Sequence, residues 1–207
     1  MRKILFIFMI FLSSCSPSDD NKSSDKTSDN VIEISGEIKR ISVGNIDAKI
    51  VIIAYESLTC SHCADFHKNI YPQLKKDFID PGLVKIEFRH FPLDAAAFNA
   101  SKVAQCNQKQ SLEILESLYA NQQGWVKGKT VIELNDNLKK FIEKEGYKID
   151  FEKCINDKKI EDFVLNDRIE GAKKFKVNST PAIIINNKRF DKSLNYKNLK
   201  KSLEKLI

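Results

Sequence analysis

Nine consecutive residues, Thr59-Cys60-Ser61-His62-Cys63-Ala64-Asp65-Phe66-His67, set two thiols three positions apart, with one imidazole between them and another four positions beyond the second. Three chemistries use such a set. A metal clip would take Cys60, Cys63 and His67 as three ligands and His90 as a fourth, but structural zinc sites usually carry a second paired motif and this chain shows none. A structural disulfide closing so short a loop gains little loop-closure entropy. A dithiol pair that passes electrons needs one thiol held as a reactive thiolate and the other tucked behind it. The elements around the motif decide among the three.

The run Lys49 to Glu56 (KIVIIAYE) is a continuous β-branched and aromatic stretch, the pattern of a strand buried on both faces, and it leads directly into the motif. From Ser61 the period changes. Cys63, Phe66, Ile70, Leu74 and Phe78 recur every three or four residues and make one apolar helical stripe, with Pro72 inside it expected to kink the helix. Asp80-Pro81-Gly82 is a turn signal, and Leu83 to Phe91 reads as a second strand. Strand, helix, strand at this spacing is a βαβ unit with parallel strands. The thiols therefore fall at the carboxyl end of a strand and the amino end of a helix, where unpaired N–H groups and the helix dipole favour a negative charge. A Cys60 thiolate gains from that placement, since cysteines in such sites drop from about 8.5 to roughly 3.5–7. His62 can lower it further by charge or hydrogen bonding, and Cys63 is expected to be buried and to resolve the disulfide. His67, one turn on, reads as a partly exposed helix residue without a catalytic role.

Elsewhere, Val31 to Val43 alternates apolar and polar residues around Gly36, suggesting short leading strands. Residues 94–174 have helical periodicity broken by Gly124, Gly128 and Gly146, read as about four helices, with a capping box at Thr130-Val131-Ile132-Glu133. Ala182 to Ile185 is again a strand, Asn186-Asn187 a two-residue hairpin turn, Lys188 to Phe190 its partner, and Leu194, Leu199, Leu203 and Leu206 mark a closing amphipathic helix. The order β-α-β, helical insertion, β-β-α is an α/β thioredoxin fold with a helical domain inserted. In that fold a proline at the position of Pro181 is cis and turns the backbone of Thr180 toward an extended substrate chain, so Thr180 and Pro181 are the candidate substrate-binding residues.

The chain begins MRKILFIFMIFLSSC, a basic start, an apolar run from Ile4 to Leu12 too short to span a bilayer, and small residues leading to Cys15. This is an export signal, and Leu12-Ser13-Ser14-Cys15 resembles the lipobox of bacterial lipoproteins, making Cys15 a lipid anchor. Residues 16–30, rich in Ser, Asp and Lys, read as a flexible tether. The expected organisation is 1–14 signal peptide, 15–30 disordered tether, 31–93 and 175–207 the two parts of the thioredoxin domain, and 94–174 the insertion. The net charge is +6, or +4 without Arg2 and Lys3, and lysines interleave with acids, which argues for a solvated surface and against a nucleic-acid stripe. Export into an oxidising compartment favours paired cysteines; with Cys15 lipidated, Cys60, Cys63, Cys106 and Cys154 remain.

The strand running into SLTCSHCADFH, the segment Arg89-His90-Phe91-Pro92-Leu93, the helix around Ala104-Gln105-Cys106, and Val177-Asn178-Ser179-Thr180-Pro181 together resemble the DsbA-like thiol:disulfide oxidoreductases, most of all the protein-disulfide oxidoreductases of rickettsia-like alphaproteobacteria. The resemblance covers about residues 40 to 205. It implies a periplasmic protein, with Cys60 as nucleophile, disulfide donation to reduced exported proteins, a DsbB-like membrane reoxidant, no metal or other cofactor, and a monomer held near the membrane by its lipid. A reductase or isomerase on the same scaffold, or a copper- or zinc-binding lipoprotein, are the rival readings. It also implies a second disulfide between Cys106 and Cys154, against the alternative of two buried free thiols. Two departures stand out. Ser61 replaces the proline that many relatives carry before the histidine, and the buried acid they place six residues before the first cysteine is Ala54. Glu56, on the same strand face, either takes over that acid's role or is an exposed strand-end charge.

Overall fold

The computed structural model describes residues 37–207. Cys15, the leader, the tether and the first part of the alternating stretch before residue 37 lie outside the described residues. Five strands, β1 (Ile41–Val43), β2 (Ile50–Glu56), β3 (Val84–His90), β4 (Ala182–Ile185) and β5 (Lys188–Arg189), form one sheet in the order β1-β3-β2-β4-β5. β2 runs parallel to β3 and antiparallel to β4, while β1 and β5 are antiparallel edge strands. The central place of β2 explains its unbroken apolar run. Ile52 and Ala54 face one core with Cys63 and Phe66, whereas Ile53 and Tyr55 face the other with Phe91, Phe175, Val177 and Ile184. By the same alternation Glu56 belongs to the face of Ile52 and Ala54. Asn186 and Asn187 both have positive φ, 46° and 64°, as a tight hairpin turn between β4 and β5 requires.

After β2 the chain enters α1 (Ser61–Asp65), a π-helical stretch (Phe66–Ile70), α2 (Tyr71–Leu74) and a second π-helical stretch (Lys75–Ile79). Cys63, Phe66, Ile70, Leu74 and Phe78 are all buried, so the apolar stripe is the packing face. Pro72, read from the sequence as a kink, lies between the two π-helical stretches, where the Tyr71 N–H reaches back to the Phe66 carbonyl. The wider pairing accommodates a residue that cannot donate.

The insertion contains six helical segments rather than about four: α3 (Ala95–Cys106), α4 (Ser111–Ala120), α5 (Gln122–Trp125), α6 (Val131–Lys144), α7 (Phe151–Asn156) and α8 (Lys158–Phe175); α9 (Tyr196–Leu203) closes the chain. α5 and α7, of four and six residues, are too short to carry a readable period and hold by tertiary packing, although a helix was expected at Cys154. Trp125 of α5 is fully buried and its indole donates to the Leu118 carbonyl at 2.9 Å. Thr130 caps α6 by accepting from the Glu133 N–H at 3.2 Å, but the Glu133 carboxylate accepts from Lys129 rather than from Thr130 itself.

The segment Arg89 to Leu93 fastens α8 to the sheet. Arg89 donates to Glu87 and Glu170 at 2.9 Å each, the Arg168 side chain donates to the Pro92 carbonyl at 3.1 Å, and the His90 N–H reaches Asp167 at 3.3 Å. Gly171 of α8 is required by closeness: a Cβ there would lie 2.8 Å from the buried Tyr55 ring.

Candidate active site

Cys60 is the residue from which α1 starts. Its N–H donates to the Ser57 carbonyl at 3.0 Å, and its own carbonyl accepts from Cys63 and Ala64 at 3.1 and 3.2 Å, which fixes the turn that points its sulfur at the helix amino end. The side chain is half-buried, Cys63 is fully buried, and both are free thiols. A hydrogen bond from the Cys63 thiol, helped by Thr180 and by the N–H groups of Cys63 and His62, draws Cys60 down to about 5 against the opposing effect of partial burial. Cys63 moves the other way. Burial, its bond to Cys60 and the neighbouring Glu56 carboxylate all raise it, while the Ser57 N–H bonded to its sulfur only partly offsets them. One thiol is thus built to ionise and the other to stay protonated.

The Thr180-Pro181 peptide is cis, and the Thr180 carbonyl accepts from the Cys60 sulfur at 3.4 Å. Cys60, Cys63, Thr180 and Pro181 therefore form one constellation. His62 enters differently from the sequence reading: its ring is exposed, and what it gives Cys60 is a backbone N–H. His90 belongs elsewhere, buried with its ring against the Gln105 amide at 3.0 Å. Among the described residues no three His, Cys, Asp or Glu side chains converge as a metal would require. Cys106 of α3 and Cys154 of α7 are joined in a disulfide with Cα atoms 5.5 Å apart.

Two expectations are refined. The partial exposure of His67 lies in its backbone, for its side chain is only 6% exposed and its Nε2 lies 2.8 Å from Glu56 Oε2; Glu56, left open between buried acid and strand-end charge, is 3% exposed. The His67 ring stacks on Tyr119 with centroids 4.1 Å apart and tilts over Phe88 at 5.1 Å, so an aromatic box shields the pair. Sequence reasoning also missed Gln122 of α5, whose amide donates to the carbonyls of Leu58 and Cys60 at 2.9 and 3.0 Å and ties the insertion to the active loop. A glutamine in a one-turn helix carries no signal that could have singled it out.

A Cys-X-X-Cys at the start of a helix, beside a cis-proline on this sheet, defines the dithiol centre of a thioredoxin-fold protein. The thioredoxin family model matches residues 37–205, and the chain belongs to that family, in its DsbA-like branch. It is 30% identical over 148 residues to a Rickettsia bellii protein that carries the provisional name of protein-disulfide oxidoreductase, covering 70% of this chain and 56% of that one. The chain thus spans little more than half the length of that relative. It is 27% identical over 181 residues to disulfide bond formation protein D of Bacillus subtilis, covering 79% of this chain and 75% of that one. The crystal structure of Wolbachia pipientis alpha-DsbA1 aligns with a TM-score of 0.72 at 28% identity, covering 87% of this chain and 96% of that one.

Proposed function

We propose that the chain is a thiol:disulfide oxidoreductase working as a dithiol oxidase on reduced, exported proteins. The observation that carries the reading is the unequal environment of the two thiols: Cys60 is drawn down to about 5 beside the Thr180 carbonyl, and Cys63 is buried and pushed up. A stabilised Cys60 thiolate favours the reduced protein, so the oxidised pair is a strong acceptor. A substrate thiolate attacks the Cys60 sulfur, forming a mixed disulfide and releasing Cys63. A second substrate thiolate then attacks the substrate sulfur, forms the product disulfide and expels Cys60 as a thiolate. Two electrons pass from substrate to protein, and a DsbB-like membrane oxidant takes them back. The basic start, the Ile4–Leu12 apolar run and Cys15 support an exported protein held at the periplasmic membrane face by lipid; no helix among the described residues is long and apolar enough to cross a membrane.

The test is the equilibrium of the Cys60-Cys63 pair in glutathione buffers, read together with oxidation of a reduced unfolded protein. A potential more oxidising than about −200 mV with substrate oxidation is expected. A value near that of thioredoxin, about −270 mV, would make the chain a reductase instead.

A further inference from the structure

Charge is unevenly spread along the described chain. Residues 37–187 hold 23 Lys and Arg against 21 Asp and Glu, close to balance, whereas residues 188–207 hold seven against two. We propose that this last segment, β5 and α9 with the loop between them and the turn beyond, is a docking face for the anionic headgroups of a bilayer, a role that rests on the exported, membrane-held reading above.

The fold turns that excess outward. Helix α9 buries Leu199 and Leu203 in the core and ties Tyr196 and Lys200 to Asp77, which leaves Lys197 and Lys201 exposed one turn apart. Like charges at that spacing repel. Lys205 is exposed in the turn that follows, Lys188 and Arg189 are exposed along β5, and Lys192 donates to the Ser202 hydroxyl at 3.3 Å, joining the loop to the helix. Among the described residues, acids answer only two of the seven cations: Arg189 lies 3.5 Å from Asp191, and Lys200 lies 3.5 Å from Asp77. The helix dipole favours Lys200 and Lys201 in the last turn but has no bearing on Lys188, Lys192 or Lys197.

Two features favour a bilayer over an acidic protein. Six of the seven cations are lysine, whose compact charge on a flexible stem suits mobile headgroups, whereas a fixed carboxylate is better matched by the arginine fork. Beside Lys205, Leu206 and Ile207 are 50% and 67% exposed, and cations flanking bare apolar side chains suit the boundary between headgroups and acyl chains. The segment 16–36, which would carry the domain from Cys15, has two lysines against five acids and adds no attraction of its own. The face also borders the active site, because Arg189 and Lys192 line a pocket of about 240 Å³ together with Pro181, the cis-proline next to Thr180. Docking through it sets the substrate side of the redox pair close to the lipid.

Sedimentation with vesicles tests the assignment. The chain from Ser16 onward keeps every described residue and lacks the lipid. It is mixed with phosphatidylcholine vesicles and with vesicles in which about 30% of the lipid is phosphatidylglycerol. Binding to the anionic vesicles alone is expected, and it should be lost at about 0.5 M salt, where the charges are screened. The variant Lys197→Gln/Lys201→Gln/Lys205→Gln should partition about 100-fold more weakly, at about fivefold per cation near the surface. The control Lys127→Gln/Lys129→Gln/Lys140→Gln removes three exposed lysines of the insertion and should change partitioning less than about threefold. Equal binding to both kinds of vesicle, no binding, or an equal loss in the two triple variants overturns the docking face. So does tighter binding to polyglutamate than to anionic vesicles at matched charge, which would assign the face to an acidic protein. Fractionation of cells making the full chain reports separately on the export reading: an uncleaved chain in the cytosol would overturn that reading, whatever the vesicles show.

Discussion

Removing the Cys106–Cys154 disulfide is a perturbation whose size follows from the structure. The bridge joins α3 to α7 across 48 residues, enclosing α4, α5 and α6. In the chain-entropy account a crosslink of that span restricts the unfolded chain by about 13–14 cal/mol/K, or about 4 kcal/mol at 25 °C. For a domain of this size that corresponds to a drop of about 8–16 °C in Tm. The double variant Cys106→Ala/Cys154→Ala avoids an orphan thiol and removes little apolar volume. Guanidinium unfolding, with the Cys60-Cys63 pair oxidised in both proteins, should give the full loss together with a steeper denaturant slope, because the unfolded chain is freed to expand. A loss below about 1 kcal/mol with an unchanged slope would refute the reasoning, showing that the helices hold the same geometry without help. A large loss with an unchanged slope would assign the effect to the packing around buried Cys154 rather than to chain entropy.

The remaining expectations concern Cys60 and Gly171. Iodoacetamide alkylation of Cys60 should titrate with a midpoint near 5, and a midpoint above 8 would remove the basis for calling the pair oxidising. Because the folded value lies below the unfolded one, the reduced protein should gain stability over Cys60→Ser, fully above about pH 9, and lose that gain as pH falls through 5; urea melts across that range check the sign. Gly171→Ala sets a methyl group 2.8 Å from the Tyr55 ring, and the overpacking should outweigh the better helix propensity by about 1–3 kcal/mol, measured as a fall in denaturation midpoint.

Much of the fold could be read because its signals are local. The run Lys49 to Glu56 is apolar throughout since β2 is covered on both faces, and the stripe from Cys63 to Phe78 survives the π-helical stretches because each buried residue still falls within a turn of the last. The candidate site was legible where chemistry and sequence adjacency coincide, at Cys60 and Cys63. It was illegible where two elements must meet. Glu56 at a strand end and His67 on a helix each look like surface residues when taken alone; only the packing of β2 under α1, with Tyr119 arriving from α4, turns them into a buried pair. The number of helices was misread for a related reason, since a one-turn piece such as α5 is held by Trp125 finding the core rather than by any period of its own.

Gln122 grips the loop before α1 through two main-chain carbonyls, at Leu58 and Cys60, and touches no side chain there in doing so. Its hold is indifferent to which residues the loop carries. Substitution of Ser61 or His62, both exposed, would therefore leave this anchoring in place.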